Sequence, residues 1–117
     1  MFREVLNQLF LRIDGLWGAL IMGVDGLAVE QVSSAAELDL ESIATEFSTV
    51  LVSLLRSSRE LKLGAIEELT LHVEKLVLVA RWISEEYFII VALSADGNFG
   101  RARFELRKAA AQLRDQF

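Results

Sequence analysis

Few side chains in this sequence have a type and spacing that could do chemistry. His72 is the only histidine in 117 residues, and the chain has no cysteine. A multi-histidine metal cage, a thiolate metal site and a cysteine nucleophile are therefore excluded within one chain. An imidazole can act as a general base, but His72 lies on the polar side of an alternating segment, without a serine or cysteine pattern to activate. We interpret His72 as a solvated or interface residue.

The remaining candidates for chemistry have simpler explanations. The triplet Asp96-Gly97-Asn98 lacks the acidic spacing of a calcium loop and suits a turn in which Asp96 or Asn98 caps a helix. No glycine-rich phosphate loop of either common kind is present. Several acidic residues lie near the predicted hairpins: Glu67, Glu68, Glu74, Glu85 and Glu86. Paired carboxylates can act in acid–base catalysis, but on exposed hairpins they more often increase solubility. The sequence therefore predicts no catalytic residue, no metal, no cofactor and no enzymatic activity.

Charge and hydropathy limit the partners and the location. The net charge is −5, which disfavours nucleic acid and anionic membranes because both bind through basic clusters. A basic row on the last predicted helix also suits the helix dipole. The longest uncharged apolar stretch, residues 16–24, is far shorter than the roughly 20 residues that span a bilayer, and the N-terminus has no signal-peptide pattern. We expect one cytoplasmic domain over residues 1–117, without membrane insertion.

Hydrophobic periodicity predicts three helices and five strands in the order α-β-β-α-β-β-β-α. The first helix covers residues 2–13, the long second helix residues 40–61 with Asp39 or a neighbour as its cap, and the third follows Asn98. A loop is expected at residues 33–36. Glycine after aspartate at residues 25–26 indicates the first hairpin. The strands are predicted at residues 16–22, 27–32, 68–73, 76–83 and 87–93.

The faces of the strands predict how they join. The second and third strands alternate polar with apolar residues, whereas the first, fourth and fifth are apolar on both faces. Strands covered on both faces belong inside a sheet, and hairpins join neighbours in sequence. The prediction is an α+β fold with a five-stranded antiparallel sheet in the order 2-1-5-4-3. The first and third helices cover one face and the second helix covers the other.

The second helix has an unusual outer side. Its apolar stripe is broad, about 140° at 100° per residue, and comprises Leu40, Ile43, Ala44, Phe47, Val50, Leu51, Leu54 and Leu55. The opposite side has small hydroxyl residues where long charged residues are usual. Such residues let another backbone approach closely, which favours a packing role; a solvated side is the alternative. This side comprises Ser42, Thr45, Thr49, Val52, Ser53 and Arg56.

Four segments resemble the Roadblock/dynein light-chain family, and together they extend over most of the chain. Residues 18–30 (GALIMGVDGLAVE) resemble its first hairpin, and residues 64–71 (GAIEELTL) its third strand. Residues 87–93 (YFIIVAL) and 98–107 (NFGRARFELR) resemble its last strand and the start of its last helix. The resemblance implies a non-enzymatic dimer that binds a Ras-like small GTPase, as a regulator or scaffold, in the manner of bacterial members. A structural adaptor of a motor or other assembly, and a small-molecule sensor, are the alternatives.

The expected surfaces follow from the open edge of the third strand and from the second helix. We predict a homodimer through Glu68, Leu69, Thr70, Leu71, His72 and Val73, with Thr45, Thr49, Val52 and Ser53 near the partner subunit. The GTPase is expected on the outer side of the paired second helices, at Ser42, Glu46, Thr49, Ser53 and Arg56. Holding the partner's own switch residues in place is favoured over an inserted arginine, for which Arg56, Arg59, Arg101 and Arg103 are candidates.

Overall fold

The computed structural model describes residues 1–34 and 38–117. Its helices are α1 (Phe2–Arg12), α2 (Leu40–Glu60) and α3 (Phe99–Leu113), followed by a short 3-10 helix (Arg114–Gln116). Its strands are β1 (Leu16–Gly23), β2 (Ala28–Ser33), β3 (Glu68–His72), β4 (Leu76–Trp82) and β5 (Tyr87–Ser94). Of the loop expected at residues 33–36, Ser33 belongs to β2, whereas residues 35 and 36 lie outside the described residues. Among the described residues, no helix is long and apolar enough to cross a membrane.

The strands form one open antiparallel sheet in the order β2-β1-β5-β4-β3, which confirms the predicted fold. Helices α1 and α3 pack on one face with the apolar side chains of β1, β4 and β5 between them and the sheet. Helix α2 packs on the other face, where Leu40, Ala44 and Leu51 meet Leu20 and Phe88. The three central strands are apolar on both sides because both faces are covered.

Strand β1 departs from simple alternation at its start. A regular strand would place Trp17 on one face with Ala19 and Ile21, but Leu16 occupies that face and Trp17 packs on the α2 side. The pairing of β1 with β5 shifts register between Leu16 and Gly18. A bulge of this kind inserts one residue and reverses the alternation on one side of it.

Capping side chains mark the starts of α2 and α3, and a glycine marks the first turn. The Asp39 carboxylate accepts a hydrogen bond from the Ser42 backbone N–H at 3.1 Å, and the Asn98 side chain accepts one from Arg101 N–H at 2.9 Å. Asn98, and not Asp96, therefore caps α3. At the β1–β2 turn, Gly26 has a φ of +88°, a conformation that glycine adopts without strain.

Candidate protein-binding surface

The sheet has two edge strands, β2 and β3, and β3 pairs only with β4 among the described residues. The Val73 N–H donates to the Leu76 carbonyl, and the Trp82 N–H donates to the Glu67 carbonyl. Because antiparallel pairs alternate between bonded and unbonded positions, the odd-numbered residues of β3 bond to β4. The backbone groups of Glu68, Thr70 and His72 therefore point outward and are available to another strand.

Beside this edge lies an apolar depression of about 210 Å³ between α2 and the sheet. Its lining has no polar side chain and comprises Phe47, Val50, Leu51, Leu54, Leu69, Leu71, Leu78, Ala80 and Ile90. A neighbouring depression continues past the β3–β4 turn and is lined by Ile43, Phe47, Val73, Glu74, Lys75, Leu76 and Leu78. We call the two together the α2–β3 groove.

The groove exists because α2 does not cover this end of the sheet. The helix lies closer to β1 and β2 than to β3 and β4. Val50 is consequently 50% exposed and Leu54 41% exposed, although both belong to the stripe predicted to be buried. Val73 is also 44% exposed. Exposed apolar residues that cluster in this way mark interaction surfaces more often than scattered ones do.

The structure separates two groups that the sequence predicted to lie together. Thr45 lines a shallow surface with Gln31 of β2, and Val52 lies near Val24 at the β1–β2 turn. This side of α2 is opposite the one that borders β3. Thr45 and Val52 are therefore remote from the edge strand, and Thr49 and Ser53 lie on the outer surface between the two sides. The side of α2 that borders β3 carries Phe47, Val50 and Leu54, whose signal in the sequence was the breadth of the apolar stripe.

The predicted partner-binding residues form one exposed row on α2, at steps of three and four residues: Ser42, Glu46, Thr49, Ser53 and Arg56. This row lies opposite the buried stripe. The Ser42 hydroxyl donates to the Asp39 carboxylate at 2.6 Å. That bond and the one from the Ser42 N–H lower the pKa of Asp39 below its ordinary value of 3.8. Ser42 thus supports the start of the helix as well as belonging to the row.

The other face of β3 is held within the subunit by α3. The Glu68 carboxylate lies 2.7 Å from Arg103 Nε and 3.8 Å from Arg81 Nη1. The His72 ring packs edge-on against Phe99, with 4.7 Å between ring centroids. The side chains of Glu68 and His72 therefore have intramolecular neighbours, although their backbone groups face the open edge. In the described part of the chain, no cluster of three or more acidic or histidine residues could hold a metal ion.

Comparison with known proteins agrees with this architecture. A search of curated proteins gives no significant match. Among solved structures, MglC from Myxococcus xanthus is 35% identical over 99% of this chain and 98% of its own, with a TM-score of 0.71. MglB from Myxococcus xanthus is 13% identical, covers 99% and 94%, and has a TM-score of 0.87. A gliding protein, MglB from Thermus thermophilus, is 15% identical, covers 97% and 86%, and has a TM-score of 0.86.

The similarity is also evident at the level of the family. A model described as the Roadblock/LC7 domain matches residues 2–94, which include all five strands and the first two helices. The likeness to MglC extends over nearly the whole chain. The two MglB structures are more distant in sequence and share the fold. This chain belongs to the Roadblock/LC7 domain family.

Proposed function

We propose that this protein is a non-enzymatic, homodimeric regulator or scaffold that binds a Ras-like small GTPase in the cytoplasm. The observation that carries the proposal is the open β3 edge with the apolar α2–β3 groove directly beside it. Such a surface requires a partner, because unpaired strand edges and clustered apolar side chains both favour association. Membership of the Roadblock/LC7 family and likeness to MglC support the choice of function.

The dimer interface that we propose pairs β3 antiparallel with its copy across a two-fold axis. The outward groups of Thr70 and its neighbours would join the two sheets into one of about ten strands. The groove side chains Phe47, Val50 and Leu54 would then meet their copies across the junction. This interface keeps the predicted strand residues but uses the side of α2 that borders β3 in place of Thr45, Thr49, Val52 and Ser53. A two-fold contact joins the same patch of both subunits, and an edge strand that pairs antiparallel with its own copy forms such a contact.

The proposed GTPase surface is the exposed row of α2, doubled by the dimer. In the dimer the two helices lie side by side, and Glu46, Thr49, Ser53 and Arg56 face away from the sheet. Short hydroxyl side chains permit a close approach by the partner's switch segments. The sequence has no phosphate-binding loop, so the nucleotide and its Mg²⁺ belong to the GTPase.

Stimulation of GTP hydrolysis would act by positioning the partner's own residues. Arg103 is paired with Glu68 at 2.7 Å, Arg101 with Glu105 at 3.0 Å and Arg59 with Glu85 at 3.7 Å. An arginine already paired within its own subunit is a poor candidate for insertion into a neighbour. Arg56 has no ion pair among the described residues, but it projects from a helix and not from a loop. Because an inserted arginine accelerates hydrolysis by about 10³ or more, Arg56→Ala is expected to keep most of the activation.

A binding assay with a Ras-like GTPase from the same cell tests the proposal. The GTPase, loaded with GDP or with a non-hydrolysable GTP analogue, is passed over the immobilised protein. We expect nucleotide-dependent binding that Arg56→Glu weakens at least tenfold, because a reversed charge at an interface repels its former partner. Arg107→Glu, the same change on the opposite face, is the matched control and should bind normally. Failure to bind any such GTPase in either nucleotide state would contradict the proposal and favour the adaptor alternative.

A further inference from the structure

The two helices on the face of the sheet opposite α2 lie in segments with a net positive charge, whereas the rest of the chain is acidic. Residues 1–14 and 99–117 carry seven basic and four acidic side chains, whereas residues 15–98 carry five basic and thirteen acidic ones. The basic excess is concentrated on the exposed side of α3, at Arg101, Arg103, Arg107 and Lys108. An acidic protein with one basic helix has a strongly directional field, which attracts anionic partners to that helix.

A buried carboxylate organises this basic surface. Glu105 is only 1% exposed, and its carboxylate lies 3.0 Å from Arg101 Nη2 and 3.6 Å from both Arg12 Nη1 and Lys108 Nζ. A buried carboxylate is costly unless cations compensate it. One negative charge balances only one of the three cations, and these are 42–49% exposed. A surplus of two positive charges therefore stays at the surface in a fixed arrangement.

An exposed aromatic ring lies near two of these cations. The Phe104 ring centroid is 5.7 Å from the Arg101 guanidinium carbon and 5.4 Å from Lys108 Nζ. Phe104 remains 48% exposed, although the apolar side of α3 is packed into the core. One turn further along the same side is Arg107, which has no ion-pair partner among the described residues. Aromatic and arginine residues together are the composition of interface hot spots.

We propose that the outer face of α3 is a second docking surface, and that its occupant is an acidic amphipathic helix of a partner protein. Such a helix would carry carboxylates at i and i+4 on both sides of one apolar residue. The apolar residue would pack on Phe104, and the carboxylates would meet Arg101, Arg107 and Lys108, since residues four apart lie on one side of a helix. This surface lies on the opposite side of the sheet from α2, so it does not overlap the proposed GTPase surface.

The chemistry of the surface favours an acidic protein segment over the other anionic partners. Three of the four basic residues on α3 are arginines, whose planar fork matches a carboxylate with two parallel hydrogen bonds. Nucleic acid binds through many phosphate contacts, and most of the remaining surface of this chain is acidic. A membrane-associated helix needs a free apolar face, but that face of α3 is buried against the sheet. Phe104 alone is too small a hydrophobic element for insertion.

Fluorescence anisotropy of the full chain with a labelled peptide tests this proposal. The peptide is a helix former of about 18 residues with glutamate pairs at i and i+4 around one leucine. The control is a peptide of the same composition whose glutamates are distributed around the helix. We expect saturable binding that weakens with added salt and is at least threefold tighter for the patterned peptide. Phe104→Ala and Arg107→Glu should each weaken binding about fivefold to tenfold, while Arg56→Glu has no such effect.

Both variants test the surface without removing an intramolecular ion pair, and both should bind the GTPase normally, which separates this proposal from the preceding one. Equal binding of the two peptides would reduce the surface to non-specific attraction and overturn the proposal. Absence of peptide binding would overturn it as well. Vesicles of phosphatidylserine and phosphatidylcholine, and a short DNA duplex, are the remaining probes. Tighter binding to either of them than to the patterned peptide would assign the surface to lipid or to nucleic acid instead.

Discussion

Truncation of Leu54 gives the sharpest test of the proposed dimer, because the exposure of this residue determines the size of the effect. Leu54 is 41% exposed in one subunit. Complete burial of a leucine side chain contributes about 1.5–3 kcal/mol, so covering the remaining exposed part contributes about 1 kcal/mol for each subunit. The two-fold axis counts this contribution twice. Leu54→Ala is therefore expected to weaken dimerisation by about 2 kcal/mol, which is about 30-fold in Kd.

Sedimentation equilibrium over a range of concentrations measures this change directly. The matched control is Leu11→Ala, which makes the same substitution at an 85% exposed residue of α1, on the other face of the sheet. The control should dimerise like the unmodified protein, and circular dichroism of both variants should show an intact fold. Equal weakening by the two substitutions, or a monomeric unmodified protein at micromolar concentration, would refute the reasoning from the groove.

Three further predictions concern the edge strand and the helix caps. Thr70→Pro removes an N–H that points out of the sheet, so it should abolish dimerisation and leave a folded monomer, whereas Thr70→Val should dimerise normally; light scattering distinguishes them. Asn98→Ala removes the α3 cap and should lower stability by about 1 kcal/mol, or about 4 °C in Tm, by thermal unfolding. Asp39→Asn tests the lowered pKa of Asp39: the unmodified protein should be the more stable of the two near neutral pH. That difference should disappear as the pH falls below 3.8 and through the lowered pKa, because the stabilising charge is then lost.

The topology and the helix starts were predictable from the sequence because they depend on local patterns. Strands that are apolar on both sides, such as β5, have to lie under helices on both faces, which leaves few possible strand orders. The capping side chains Asp39 and Asn98 bond to N–H groups only three residues away, so their role needs no tertiary information. The edge position of β3 follows in the same way from its alternating polar residues.

The tertiary structure decided which parts of these elements remain free. The periodicity of α2 defines an apolar stripe but not where the helix axis lies over the sheet, so only the packed structure shows that Val50 and Leu54 stay exposed beside β3 and β4. A single bulge exchanges the faces of Leu16 and Trp17, since strand alternation has a period of two residues and one insertion reverses it. The burial of Glu105 also depends on the docking of α1 against α3, which brings Arg12 to a carboxylate far along the chain. Local periodicity thus determines what each element can bury, whereas the relative placement of the elements determines what they leave exposed for a partner.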